Sequence, residues 1–285
     1  MDTATSKQGL GDIMKQSAIP NSTIPSIGLG TFGLNGDAGT KAILAGMDIG
    51  YRHIDTAQTY DTEKNVGDAI AQTPIARDDL FITTKITAEN FPRLMDSLRD
   101  SLANMQVKQA DLTLIHWPAP YDEVPVSAYI GELARAQDEG LTRLIGVSNF
   151  TRKHLDEVNA EIGEGRIATN QIECHAYLQN KILAQHCKDA DIKITAYMPL
   201  GRGKLIDDPV IVDIAGKHSA TPAQIALAFL LHRDCIIIPK SSNLERQRSN
   251  LAAGDVTLDT GDMVRIDELE KGERLVDPEW GPTWD

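Results

Sequence analysis

The sequence predicts an α/β protein built as a single (β/α)8 TIM barrel, and three observations point there. Short apolar runs rich in β-branched residues alternate with amphipathic helical segments along the chain, the pattern of parallel strands joined by crossover helices. Eight such runs occur at a spacing of about 30 residues, the size of one βαβ step. The length of 285 residues suits one barrel with extensions and shows no low-complexity linker. An open doubly wound sheet shares the local pattern, and strand count alone does not separate the two.

Taken in order, residues 1–17 read as a polar, flexible N-terminal extension and 18–285 as the barrel domain, ending in a short C-terminal tail. The strand candidates are Gly28–Phe32, His53–Asp55, Leu80–Ile86, Leu112–His116, Leu144–Val147, Ala168–Ile172, Ile192–Tyr197 and Ile236–Pro239. Helical periodicity covers Pro92–Met105, Val126–Gln137, Thr151–Glu161, Lys181–Ala190, Val210–His218 and Pro222–His232. Thr221 and Pro222 read as N-cap and first helical residue, while Gly50 and Gly140 close helices ahead of strands.

The segment Gly28-Leu29-Gly30-Thr31-Phe32-Gly33 fits G-x-G-x-x-G, and Asp55 follows at the distance of a ribose-binding acid. Its context is wrong for a Rossmann site. Pro25 interrupts the preceding strand, and the next helix begins only near Asp37. A glycine-rich first barrel strand accounts for the pattern better.

Composition narrows the partners. Hydrophobic residues make up 41% of the chain, which is ordinary globular usage. Twenty-eight basic residues against 41 acidic ones give a net charge of −13, a field that repels nucleic acid and anionic membrane surfaces. Cys174, Cys187 and Cys235 form an odd, sparse set, expected to be reduced and buried. No apolar leader-like run or 18-residue apolar stretch occurs, so the expected location is the cytoplasm. His175, His186 and Cys187 lack convergent ligand spacing, so no metal is expected.

In a barrel the active site lies at the C-terminal ends of the strands. Polar residues collect there: Asp55, Lys85, His116, Ser148, Asn149, Gln171, Tyr197 and Lys240, with Tyr60 in the loop after Asp55. Lys85 follows an apolar strand, where a buried ammonium needs a partner, and Asp55 is the available carboxylate. A desolvated lysine would also suit Schiff-base chemistry on a sugar aldehyde.

At these residues the chain resembles the aldo-keto reductases. Gly50-Tyr51-Arg52-His53-Ile54-Asp55-Thr56-Ala57, followed by Glu63 and Gly67, matches the family's first signature. Thr84-Lys85 and Ile115-His116-Trp117-Pro118 match its Lys and His motifs. Gly146-Val147-Ser148-Asn149-Phe150, Asn170-Gln171-Ile172-Glu173 and Ile238-Pro239-Lys240-Ser241 match its cofactor motifs. Thr59-Tyr60, the run Asp111–Pro118 and the segment Trp280–Asp285 are most similar to bacterial 2,5-diketo-D-gluconate reductases. Three positions depart from the family pattern: Met198 stands where Ser is usual, Ala176 where Pro is usual, and Ser249 where an acceptor for the adenine is usual.

The resemblance implies reduction of aldehydes and ketones by hydride transfer from NADPH, on small polar carbonyls such as α-dicarbonyls or keto-sugars. It implies a catalytic set of Asp55, Tyr60, Lys85 and His116. Tyr60 is the implied proton donor, Lys85 the charge that lowers its pKa, and His116 the group that orients the carbonyl. For the cofactor it implies Gly30, Thr31, Asp55, Ser148, Asn149, Gln171, Tyr197, Leu200, Lys240, Ser241, Arg246 and Asn250. Among these, Lys240, Ser241 and Arg246 would grip the 2′-phosphate. Phe32, Tyr60, His116 and Trp117 would contact substrate, with Trp280 or Trp284 as a lip. A monomer is expected. A non-catalytic NADPH-binding regulator on the same barrel would need the cofactor motifs but not the catalytic four.

Overall fold

The computed structural model describes residues 18–19 and 22–285, with side chains from residue 24 onward. The extension expected at residues 1–17 lies outside the described residues. A two-stranded antiparallel hairpin, β1 (Ala18–Ile19) and β2 (Ser22–Thr23), leads into the barrel. The barrel strands are β3 (Gly28–Gly30), β4 (His53–Asp55), β5 (Phe81–Ile86), β6 (Ala110–Ile115), β7 (Thr142–Ser148), β8 (Ile167–Glu173), β9 (Lys193–Tyr197) and β10 (Ile236–Ile237). They form one parallel sheet in chain order.

The seam between β10 and β3 closes the sheet. Ile237 N–H donates to Ser26 O at 2.8 Å, and Gly30 N–H donates to Pro239 O at 3.2 Å. This contact explains the glycine-rich first strand, because a Cβ on Gly30 would stand 2.9 Å from Ile238 O. Of the glycines that mimic a dinucleotide fingerprint, Gly30 is required by barrel closure, while Gly33 supplies a φ of 73° in the turn that follows. A closed parallel sheet also removes the open-sheet alternative.

Among the described residues ten α-helices surround the barrel: α1 (Gly36–Asp48), α2 (Glu63–Gln72), α3 (Leu94–Asn104), α4 (Ser127–Asp138), α5 (Arg152–Ile162), α6 (Lys181–Asp189), α7 (Pro209–His218), α8 (Pro222–His232), α9 (Leu244–Leu251) and α10 (Thr260–Asp267). Local signals behave as read. Thr221 Oγ1 accepts from Gln224 N–H at the start of α8, and Gly50 and Gly140 carry the positive φ values of 119° and 77° that helix exits require.

Alternation on β5 shows how strand periodicity places the site. Ile82 and Ile86 face the helices and join the main core, while Phe81 lies within the barrel at its lower end. Ile24, Phe81, Leu112, Leu114, Ala168 and Ile236 fill that end, with Ile24 fully buried behind the hairpin. Above them the interior is polar: His53 and Thr83 share a 3.0 Å hydrogen bond, and Lys85 and Asp55 lie above.

Several boundaries differ from expectation. Regular pairing in β3 ends at Gly30 and in β10 at Ile237, short of Phe32 and Pro239, because the seam bonds involve loop backbone. The helix expected from Pro92 starts at Leu94, since residues Ala88–Arg93 form a 3-10 stretch around Pro92.

Candidate active site

At the upper end of the barrel the candidate residues form one connected cluster. The Lys85 ammonium is fully buried and donates to Asp55 Oδ1 at 2.5 Å, to Thr56 O at 2.7 Å and to Tyr60 Oη at 3.4 Å. The other Asp55 oxygen accepts from Gln171 Nε2 at 2.8 Å. Both charges are therefore sealed from water and hydrogen-bonded, the condition under which a buried ion pair is tolerated.

Tyr60 stands above this pair. Its ring meets the edges of Phe32, with centroids 5.1 Å apart, and His116, at 5.5 Å. Phe32 itself is 64% exposed and forms an outer wall. The 3-10 turn Gln58–Tyr60 is held from both sides. Gln58 bonds to Ser97 O, Ser101 Oγ, Thr87 N–H and Asn90, and Asn35 Nδ2 donates to the carbonyls of Tyr60 and Asp61.

The protonation states follow from burial and charge. Burial raises the Tyr60 pKa more than the Lys85 ammonium lowers it, so the net direction is upward from its ordinary value. This corrects the expectation that Lys85 brings the phenol below about 10. Lys85 limits the rise instead, and Tyr60 is a neutral phenol at neutral pH. For Lys85, burial alone would favour the free amine, but Asp55 and Tyr60 outweigh it and raise the pKa. Burial and the Lys85 charge lower His116 to about 3, leaving a neutral imidazole.

A second hydrogen-bonded group adjoins the first. Ser148 Oγ donates to Gln171 O at 2.8 Å, Asn149 Nδ2 donates to His116 O and Ser148 Oγ at 3.1 Å each, and Tyr197 Oη donates to Asn149 Oδ1 at 2.8 Å. Asn149 adopts a φ of 63°, a left-handed conformation that Asn tolerates well. Thr31 Oγ1 donates to Asp55 O at 2.9 Å and meets Thr62, which ties β3 to the strand bearing Asp55.

Lys240, Ser241, Arg246 and Asn250 form a separate group where β10 runs into α9. Ser241 and Asn250 are buried, while Lys240 and Arg246 are exposed and make no ion pair among the described residues. Asn243 caps α9 by accepting from Arg246 N–H. Gly30 links the groups, since its missing Cβ would lie 3.5 Å from Lys240 Cβ. Leu200 is half-buried after Met198, whose φ is 49°. Ser249, one of the departures from the family pattern, meets Thr221 Oγ1 at 3.2 Å.

Trp117, a candidate for substrate contact, packs against the C-terminal tail. Its ring lies 5.2 Å from Trp280 and 6.1 Å from Trp284, so both tail tryptophans reach it. Glu173 is the residue that sequence reasoning passed over here. Fully buried, it accepts from Leu275 and Val276 N–H and from His175, and so fastens the tail to β8. Only its place in the Asn170–Glu173 motif hinted at it. Gln58 and Asn35 were also missed, because a turn-pinning contact leaves no periodic signal, and Thr59 was read only as part of the Thr59-Tyr60 motif, without its contact to His116.

With this geometry in place, the comparisons are specific. The aldo/keto reductase family profile matches residues 26–271. Methylglyoxal reductase DkgB of Escherichia coli O157:H7 is 46% identical over 265 residues, covering 92% of this chain and 99% of its own. An aldo-keto reductase of Mycolicibacterium vanbaalenii is 39% identical over 264 residues, covering 91% and 93%. Among solved structures, a putative 2,5-diketo-D-gluconic acid reductase B superposes with a TM-score of 0.88 at 34% identity, covering 92% of this chain and 94% of that one. The aldose reductase of Schistosoma japonicum gives 0.85 at 31% identity, covering 91% and 95%. Among the described residues no helix is long and apolar enough to cross a membrane. A profile match across most of the barrel, joined to relatives matched over nearly their whole length, places this chain in the aldo/keto reductase family.

Proposed function

We propose that this protein reduces small polar aldehydes and ketones with NADPH, using Tyr60 as the proton donor. The observation that carries the reading is the sealed Asp55–Lys85 pair directly beneath the Tyr60 hydroxyl, with a neutral His116 ring at its edge. When bound, a reduced nicotinamide supplies a hydride to the carbonyl carbon. Negative charge then grows on the carbonyl oxygen, and groups able to donate must already face it. Tyr60 Oη gives the proton, and Lys85 stabilises the phenolate left behind. His116, uncharged, donates a hydrogen bond that orients the oxygen. The small-carbonyl preference is drawn from the relatives, a methylglyoxal reductase and a putative 2,5-diketo-D-gluconic acid reductase.

The donor set fits a nicotinamide dinucleotide phosphate. Ser148, Asn149 and Gln171 offer amide and hydroxyl groups suited to a carboxamide, Tyr197 offers a ring for stacking, and Gly30, Thr31 and Leu200 are assigned to the cofactor by the family resemblance. Lys240 and Arg246 are exposed cations without ion-pair partners among the described residues, beside Ser241, Asn250 and the free N–H groups that open α9. These features support a 2′-phosphate site. Arg246→Ala is expected to weaken NADPH binding about 10- to 100-fold, the loss of one charge-assisted contact of roughly 1.5–3 kcal/mol, and to leave NADH binding nearly unchanged. Quenching of tryptophan fluorescence by each cofactor measures this. Equal losses for both cofactors would assign Arg246 to the fold, and no loss would remove it from the site.

A Schiff-base lyase is the weaker alternative. A nucleophilic lysine needs a lowered pKa, whereas Asp55 holds Lys85 as the ammonium. A non-catalytic regulator has no use for the joined Asp55, Lys85, Tyr60 and His116. NADPH oxidation that depends on an added short carbonyl tests the reading, and its absence with every aldehyde, dicarbonyl and keto-sugar would overturn it.

A further inference from the structure

One contact at the site has no part in the mechanism so far. The Thr59 hydroxyl lies 3.3 Å from Nδ1 of His116, and it is the only side-chain hydrogen bond of either group among the described residues. Thr59 is exposed on the turn that carries Tyr60. That turn is rigid, because both ends of the Gln58 amide and the backbone carbonyls of Tyr60 and Asp61 are engaged. Asn149 Nδ2 holds the backbone of His116 from the other side through its carbonyl. The hydroxyl and the ring nitrogen therefore meet between two fixed supports.

A neutral imidazole carries one proton, on either Nδ1 or Nε2, and the partner of one nitrogen decides the state of the other. His116 is held neutral by burial and by Lys85. With Nδ1 taken up by Thr59, Nε2 is the ring nitrogen left without a partner among the described residues, and if the proton sits on Nδ1, Nε2 can offer an incoming carbonyl only a lone pair, which repels a growing oxyanion. If the proton sits on Nε2, the ring donates to that oxyanion.

We propose that Thr59 is a positioning residue that sets the tautomer of His116, donating its hydroxyl hydrogen to Nδ1 so that the ring proton resides on Nε2 and faces the substrate oxygen. Nothing else among the described residues competes for the Thr59 hydroxyl hydrogen, and a hydroxyl can rotate to donate. The inference rests on the proposed role of His116, yet the tautomer can be read without turnover. It predicts a threonine or serine requirement at a position whose side chain bonds His116 alone among the described residues.

The test is nitrogen-15 NMR of the full chain labelled at histidine, with the His116 signals identified by their loss in His116→Gln. In the wild type, Nε2 is expected to show the protonated shift and Nδ1 the shift of an unprotonated, hydrogen-bonded nitrogen. Thr59→Val is expected to move both signals toward a mixture of tautomers and to lower kcat about three- to tenfold, the scale of one neutral hydrogen bond, with KM within about twofold. Thr59→Ser should restore both the spectrum and kcat. A proton on Nδ1 in the wild type overturns the inference, as does an unchanged ring spectrum in Thr59→Val. So does a rise in KM without a change in the ring, which would place Thr59 against substrate. Failure of the Tyr60 mechanism is a separate event, seen in Tyr60→Phe turnover and not in the ring spectrum.

Discussion

Tyr60→Phe is expected to lower kcat for carbonyl reduction by about 10²- to 10⁴-fold, the usual contribution of a positioned general acid. The substitution removes one oxygen and keeps the ring, so the edge contacts with Phe32 and His116 persist. NADPH affinity should change little, because the cofactor candidates reach their positions through Ser148, Asn149, Gln171 and α9. Steady-state kinetics beside fluorescence titration separate the two effects. The wild-type pH profile carries a matching signature. With its pKa raised by burial, Tyr60 stays protonated across neutral pH, so reduction should hold steady there and fall only as pH rises past the ordinary phenol range. A Phe variant that keeps more than about half of wild-type turnover would dismiss Tyr60 as the donor.

Lys85→Met should damage turnover on the same scale and stability as well. The ammonium is what limits the upward shift of Tyr60, so its loss makes the phenol a weaker acid. It also leaves Asp55 buried with a single neutral donor, Gln171. Breaking a buried pair by removing one partner costs roughly 3–5 kcal/mol, which lowers Tm by on the order of 10 °C in a chain of this size. In the wild type the sign of the linkage is fixed by the raised Lys85 pKa. The stabilisation is fully present below the unfolded lysine value of about 10.4 and is lost as pH rises through the higher folded value. Thermal melts across alkaline pH check this. A Met variant with wild-type rate, pH profile and Tm would break the proposed coupling between Lys85 and both neighbours.

The barrel was legible because each strand announces itself by an apolar run, and strand ends then point to Asp55, Lys85, His116, Ser148 and Tyr197. Closure was not legible, since the seam depends on backbone bonds between Gly30 and Pro239, far apart in sequence. The sign of the Tyr60 shift was misread for a similar reason. A neighbouring ammonium can be inferred from a motif, but the depth of burial that opposes it belongs to the folded chain. Glu173 and Gln58 likewise act through contacts with Leu275, Val276, Ser97 and Ser101, which no local pattern announces.

The central claim is that the protein moves a hydride from NADPH onto a small carbonyl carbon, and labelled hydride tests it most directly. NADPH carrying deuterium at the transferable position of the nicotinamide would be incubated with methylglyoxal, a keto-sugar and a bulky apolar ketone, and the products read by mass spectrometry. The account predicts one deuterium per alcohol on the former carbonyl carbon, with higher kcat/KM for the two small polar substrates than for the bulky ketone. Unlabelled product, a substrate adduct trapped on Lys85 by borohydride, or preferred reduction of the bulky ketone would contradict it.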